Sequence, residues 1–232
     1  MVTPTNDGTG LVNAIHELYP ATSTEEARPV LCAFHWHKSG QVSATDSYRM
    51  HVMQTNILHD TEGEEFLIIP RSVKDYLDAS TEWTVFAPAK RSEPIVFGSI
   101  DDGRMVFVRQ MDGNAPDPDR LFPEKWTHES VFTPNALEKI KWLGKSKNNN
   151  PMIVEGDTAI NGTKSSVIFE GMNKLPMKAG VRQEFLVDAL NFMDDNRLKL
   201  RSNNPLRPLV ISPLQPDESD KVALVMPVRL NE

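Results

Sequence analysis

Pro116-Asp-Pro-Asp-Arg-Leu-Phe-Pro123 places three prolines within eight residues. Neither a helix interior nor a central strand tolerates that spacing, because each proline lacks an N–H donor and fixes its own φ. The stretch therefore reads as a boundary. It divides the 232 residues into 1–123 and 124–232, each of ordinary single-domain size. Outward from it, one order of elements recurs on both sides. Before it, Leu11, Val12, Ala14, Ile15 and Leu18 mark one face of a helix. Pro70-Arg-Ser-Val-Lys-Asp-Tyr-Leu77 reads as a second helix with proline in its first turn, and Arg104 to Arg109 reads as a closing strand. After it, Thr133-Pro134 opens a helix running to Lys145, and strands come next at 152–154 and 166–169. A second helix, 182–193, carries Phe185, Leu186, Ala189, Leu190 and Met193 on one face. Arg197 to Ser202 alternates with strand period, and Val222 to Leu230 closes the half. The expected class is α+β: two tandem domains, each with two helices packed on antiparallel sheet.

Composition bounds the function. Apolar residues make up 39% and charged residues 25%, enough to build a core in each half. The longest apolar runs, such as Phe66 to Ile69, fall far short of the roughly 20 residues of a membrane span. The N-terminal Met1 to Asp7 has neither the basic start nor the apolar core of a secretory signal. The single cysteine, Cys32, excludes a disulfide framework and any cysteine-cluster metal site. Together these predict a cytoplasmic protein. The formal charge of −7 argues against a polyanion partner, yet it is uneven: residues 1–123 carry −8 and residues 124–232 carry +1. Bulk charge does not exclude local cation clusters.

Candidate catalytic groups are sparse. His35 and His37 share one face of a strand, but no third or fourth metal ligand accompanies them, and partly exposed strand histidines are the simpler expectation. Asp46-Ser47 lacks the second carboxylate that aspartic protease chemistry needs. Cys32 sits among apolar residues and reads as core, and Asn161-Gly-Thr163 reads as a turn. No cofactor is implied. On the 133–145 helix, Ala136, Leu137, Ile140 and Leu143 form the apolar arc while Lys139, Lys141 and Lys145 lie away from it, with Trp142 between them and Lys147 just past the end. That face is either a solvated surface or a sequence-independent surface for phosphates. Likewise, Leu224 to Leu230 is either a terminal strand with an apolar anchor or one wall of a peptide groove.

Five segments, in order, resemble the bacterial sliding clamp, the beta subunit of DNA polymerase III, in its second and third domains. Glu26 to Leu31 is similar to the strand entering the second domain. Ala44-Thr-Asp-Ser-Tyr-Arg-Met50 resembles a family turn, and Leu67-Ile-Ile-Pro-Arg71 an entry to a helix. Asp112 to Pro123 resembles the interdomain segment, and Val225-Met-Pro-Val-Arg-Leu230 the family's terminus. The resemblance implies a ring that encircles duplex DNA, with helices lining the hole and a groove between these domains for short peptides of polymerase and clamp loader. The matching groove positions are Arg28, Leu31, Thr45, Ser47, Tyr48, Arg49, Met50, Pro116, Arg120 and Leu121 from the first half and the boundary. From the second half come Pro208, Leu224, Met226, Pro227, Val228, Arg229 and Leu230. The DNA-facing expectation covers Arg71, Lys74, Lys139, Lys141, Lys145 and Lys147.

Three departures accompany the likeness. Tyr48 stands where the family commonly has histidine, Asn231-Glu232 extends the usual end, and the family's first domain has no counterpart here. Six domains would then take three copies, so the expectation is a homotrimer, a natural short form such as a phage encodes, although an excised fragment of a larger clamp has the same sequence features. Two rivals stand beside it: an adaptor or inhibitor that competes for clamp-binding peptides without closing a ring, and a hydrolase using Asp46, for which a structural role in the turn is the simpler reading.

Overall fold

The computed structural model describes residues 4–5, 8–123, 125–132, 151–156, 158–161, 165–168, 175–193, 197–215 and 221–230. The chain divides into two units, Met1–Leu121 and Phe122–Glu232.

The first unit runs through one motif twice: a strand, a helical segment, then three strands. In the first pass these are β1 (Pro4–Thr5), α1 (Thr9–Leu18), β2 (Ala33–His37), β3 (Gln41–Thr45) and β4 (Arg49–Gln54). In the second they are β5 (Phe66–Pro70), a 3₁₀ segment (Arg71–Asp75), β6 (Trp83–Phe86), β7 (Ile95–Ser99) and β8 (Met105–Val108). Antiparallel pairing interleaves the passes: β5-β2-β3-β4 form one set of neighbours and β1-β6-β7-β8 the other. Leu11, Val12, Ala14, Ile15 and Leu18 of α1 are buried, as the 3.6-residue spacing predicts. Phe34 and Trp36 of β2, Val42 and Ala44 of β3, Val85 of β6 and Phe97 of β7 are buried with them. Each buried indole finds a carbonyl: Trp36 Nε1 donates to Ile57 O and Trp83 Nε1 to Asp78 O, both at 2.8 Å. Gly8 precedes α1 because a Cβ there would sit 2.7 Å from the Val85 nitrogen of β6.

The second unit contains β9 (His128–Phe132), β10 (Met152–Gly156), β11 (Thr158–Asn161) and β12 (Ser165–Ile168). Then come β13 (Leu175–Val181), α2 (Gln183–Phe192), β14 (Leu198–Ser202), β15 (Leu209–Pro213) and β16 (Lys221–Val225). The pairing repeats that of the first unit, with neighbours β12-β11-β10-β13 and β9-β14-β15-β16, all antiparallel. Phe185, Leu186, Ala189 and Leu190 of α2 are buried, and with Phe132, Val154, Leu200, Leu209 and Ile211 they make the described core. The α+β class is thus as the sequence predicts, and the described strands of the second unit pair in the order of those in the first. The helix expected at 133–145 lies outside the described residues.

Four local expectations need correction. Glu26 to Leu31 is not a strand: Pro29 starts a single 3₁₀ turn, Pro29–Leu31, and the strand begins at Ala33. Proline favours that first helical position, and its missing donor would spoil a ladder. The segment after Pro70 is 3₁₀ rather than α-helical. Only Val73 and Leu77 bury there while Tyr76 stays exposed, so no apolar stripe supports further turns. His35 is fully buried rather than partly exposed. Cys32 is half-exposed rather than core, because it lies in the loop before β2.

Candidate peptide-binding and DNA-facing residues

The β3–β4 turn is built by one carboxylate. Asp46 Oδ1 accepts from the backbone N–H of Tyr48 (2.9 Å) and of Arg49 (3.0 Å), and Oδ2 pairs with Arg49 Nε at 3.0 Å. Thr45 Oγ1 donates to Arg49 O (2.7 Å) and accepts from the Ser47 N–H (3.2 Å). The turn forces Ser47 to φ +79°, in the left-handed region. Ser47 and Tyr48 are thereby raised to the surface, Tyr48 at 51% exposure. Met50, one residue further along β4, is only 1% exposed and contributes no surface. Asp46 is committed to its own turn, which matches the structural role expected of it.

Arg28 and Leu31 lie on the neighbouring loop. Arg28 Nη1 donates to Ser47 Oγ at 3.1 Å and its Nε lies 3.5 Å from Glu25 Oε2, so this loop and the turn are joined. Ser23 N–H donates to Leu31 O (2.8 Å), closing the loop's neck, and Cys32 Sγ donates to Glu25 O (3.4 Å) across it. The segment leading to the boundary packs on the same loop. A Cβ on Gly113, whose φ is +140°, would lie 2.3 Å from Val30 Cγ2. Arg91 fastens that segment, donating from Nη2 to Met111 O (3.3 Å) and Gly113 O (3.4 Å) and pairing through Nη1 with Glu64 (2.8 Å). Further on, Asp117 Oδ1 caps the turn Pro118–Arg120 and its Oδ2 pairs with Arg120 Nε at 3.0 Å. Pro116 is half-buried and Leu121 is 46% exposed.

In the second unit Leu224 is buried in β16, while Met226, Val228 and Arg229 are exposed and Pro208, Pro227 and Leu230 are half-buried. After β16 the chain crosses β13: Val228 N–H donates to Gly180 O at 2.8 Å. A Cβ on Gly180 would meet Leu230 Cδ2 at 2.7 Å and Val228 O at 2.8 Å, so only glycine admits this tail.

Of the six cations expected to face DNA, Lys139, Lys141, Lys145 and Lys147 lie outside the described residues. Arg71 and Lys74 are half-buried and converge on one ring, with Arg71 Cζ at 4.6 Å and Lys74 Nζ at 5.1 Å from the Tyr19 centroid. Arg71 Nη1 also donates to Ser23 O at 2.8 Å. Sequence reading passed over Tyr19 and Ser23, since neither belongs to a charge pattern or a motif; tertiary contact alone brings them to Arg71.

Burial governs three histidines. His35 Nε2 lies 2.8 Å from Val30 O, and burial pushes its pKa down to about 4 despite that bond. Burial, aided by the Arg49 charge, pushes His51 down to about 3. His59 is lowered chiefly by burial too, and its Nε2 lies 3.1 Å from Trp36 O. Among the described residues no group of histidines, cysteines and carboxylates is placed to hold a metal, and no helix is long and apolar enough to cross a membrane.

No protein-family profile matches the chain. It is 24% identical over 247 aligned residues to the beta sliding clamp of Streptococcus pneumoniae, covering 95% of this chain and 63% of that protein. The chain thus spans less than two thirds of the length of this relative. The beta subunit of DNA polymerase from Streptococcus pyogenes superposes with a TM-score of 0.78 at 22% identity, over 99% of this chain and 67% of that one. The Helicobacter pylori beta clamp, solved bound to a DNA ligase peptide, superposes with a TM-score of 0.76 at 21% identity, over 95% of this chain and 63% of that one. In fold, and in sequence along nearly its whole length, the chain resembles the bacterial beta sliding clamp, the beta subunit of DNA polymerase III.

Proposed function

We propose that this chain is a DNA sliding clamp: a non-enzymatic processivity factor that encircles duplex DNA and tethers polymerase, clamp loader and other partners through short linear peptides. The observation that carries the reading is the extent of the likeness, which runs through both units rather than one. The two units are those of the family's second and third domains, bounded near Pro123. In the first unit exposed Ser47, Tyr48 and Leu121, beside Arg28, and in the second exposed Met226, Val228 and Arg229, each supply mixed apolar and polar surface of the kind that takes a peptide. The Helicobacter clamp solved with a ligase peptide supports peptide capture as the mode of tethering. DNA is held by Arg71, Lys74, Lys139, Lys141, Lys145 and Lys147, whose point charges contact phosphate without reading bases.

Six such units are three copies of this chain, joined head to tail by a rotation that closes. Native mass by light scattering across a range of concentrations tests the ring. A mass of about 78 kDa, three times 26.1 kDa, is the expected result. A persistent mass near 26.1 kDa would replace the ring by an adaptor that competes for clamp-binding peptides, or by a fragment of a larger clamp.

A further inference from the structure

The loop that carries Arg28 and Leu31 meets the DNA-facing cations at a single residue. Ser23 to Leu31 is a nine-residue loop whose neck is closed by the Ser23 N–H donating to Leu31 O. Arg71 holds that neck from outside with two bonds, its backbone N–H to Cys32 O at 2.9 Å and its Nη1 to Ser23 O at 2.8 Å. The same guanidinium shares the Tyr19 ring with Lys74, and Tyr19 is tied to the loop's approach by Thr22 Oγ1, which donates to Tyr19 O at 2.7 Å. Among the described residues neither cation is paired with a carboxylate. Two positive charges gathered at one ring repel each other, and an anion is the ligand that relieves this. Phosphate suits the site, because a guanidinium that gives one N–H to Ser23 keeps four more in a planar fork. An arginine already fixed by phosphate surrenders less rotamer freedom when it holds the Ser23 carbonyl, so the two bonds support each other.

We propose that Arg71 couples the two surfaces: a DNA phosphate bound at Arg71 and Lys74 tightens the neck of the Ser23–Leu31 loop, so that duplex DNA and a partner peptide bind with positive cooperativity. The proposal rests on the clamp reading above and gives it a direction, since partners engage this protein better on DNA than off it. The coupling is reciprocal, so a bound peptide also slows the loss of DNA.

Cys32 supplies a readout that needs no peptide. It is the only cysteine in the chain, it is half-exposed, and its Sγ–Glu25 bond spans the loop. The experiment measures alkylation of Cys32 by a maleimide at low ionic strength, with and without a short blunt duplex whose binding is monitored by fluorescence anisotropy. Bound duplex should slow the wild-type reaction about fivefold, the low end of ordinary coupling energies. Arg71→Gln should react faster than wild type without duplex and should not respond to it. Lys74→Gln leaves both neck bonds in place, so it should keep the slow basal rate and lose part of the duplex response. An unchanged wild-type rate on bound duplex overturns the coupling, as does an Arg71→Gln protein whose rate still falls. A duplex that fails to bind wild type overturns the coupling and the placing of Arg71 and Lys74 against DNA, whereas a duplex that binds without slowing the reaction overturns the coupling alone. Should Arg71→Gln unfold, the Lys74→Gln response decides: a full fivefold slowing in that variant overturns the proposal.

Discussion

Asp46 shows how much one side chain can organise. A single carboxylate accepts two backbone N–H groups and an arginine Nε, and the strand reversal it stabilises is the one that raises Ser47 and Tyr48. Asp46→Ala should cost about 1–3 kcal/mol, because two turn donors and one charge lose their acceptor together. A urea midpoint that falls with unchanged slope is the expected result, and an unmoved midpoint would contradict it. This role was legible in the sequence, since aspartate ahead of a turn caps the next amides by local geometry alone. The left-handed backbone at Ser47 was not, because serine carries no preference for φ +79° and adopts it only under the constraint of its neighbours. Nor was the burial of Met50. A β4 residue next to an exposed turn reads as surface, because the local pattern does not show what covers it.

At the scale of elements, periodic apolar stretches were read correctly and short ones were not. Residues 9–18 and 183–192 repeat their apolar side chains through two or more turns, so pattern and packing agree. The 3₁₀ segments at Pro29 and Arg71 offer no such repeat, and proline marks where they start without fixing the type or length of helix. The tail after β16 was legible only as an ambiguity between anchor and groove wall. In the structure its backbone is anchored on β13 while Met226 and Val228 remain exposed. Gly180→Ala tests the anchor. Its new methyl group would overlap Leu230 and the Val228 carbonyl, an overpacking that should cost about 1–3 kcal/mol. Hydrogen exchange should show the Val228 amide losing protection while the amides of β14 and β15 keep theirs. Loss of protection throughout the second unit would mean that Gly180 supports more than the tail.

For the whole molecule, the buried imidazoles set the response to acid. In the unfolded chain His35 and His51 take up protons near their ordinary 6.5, whereas in the fold they stay neutral until about 4 and about 3. Their contribution is complete above 6.5, declines as the pH falls from 6.5 toward 4 and 3, and changes no further below that. Each shift corresponds to a few kcal/mol at most, roughly 3 to 5. Urea midpoints should therefore drop between pH 7 and pH 5, and drop less in His35→Gln than in wild type. A midpoint that holds across that range would show that neither histidine is kept neutral. The sequence placed His35 on a strand but could not bury it, because a strand position does not say what covers it; in the fold its Nε2 meets the Val30 carbonyl of the preceding loop. The strand β8 has a different consequence. Among the described residues it pairs only with β7, and its alternate side chains Met105 and Phe107 are apolar and open to water. An edge of that kind accepts a strand from any chain that offers one. The colloidal behaviour of concentrated solutions, from turbidity to the ease of crystallisation, thus turns on four residues that belong neither to the β3–β4 turn nor to the loop it joins.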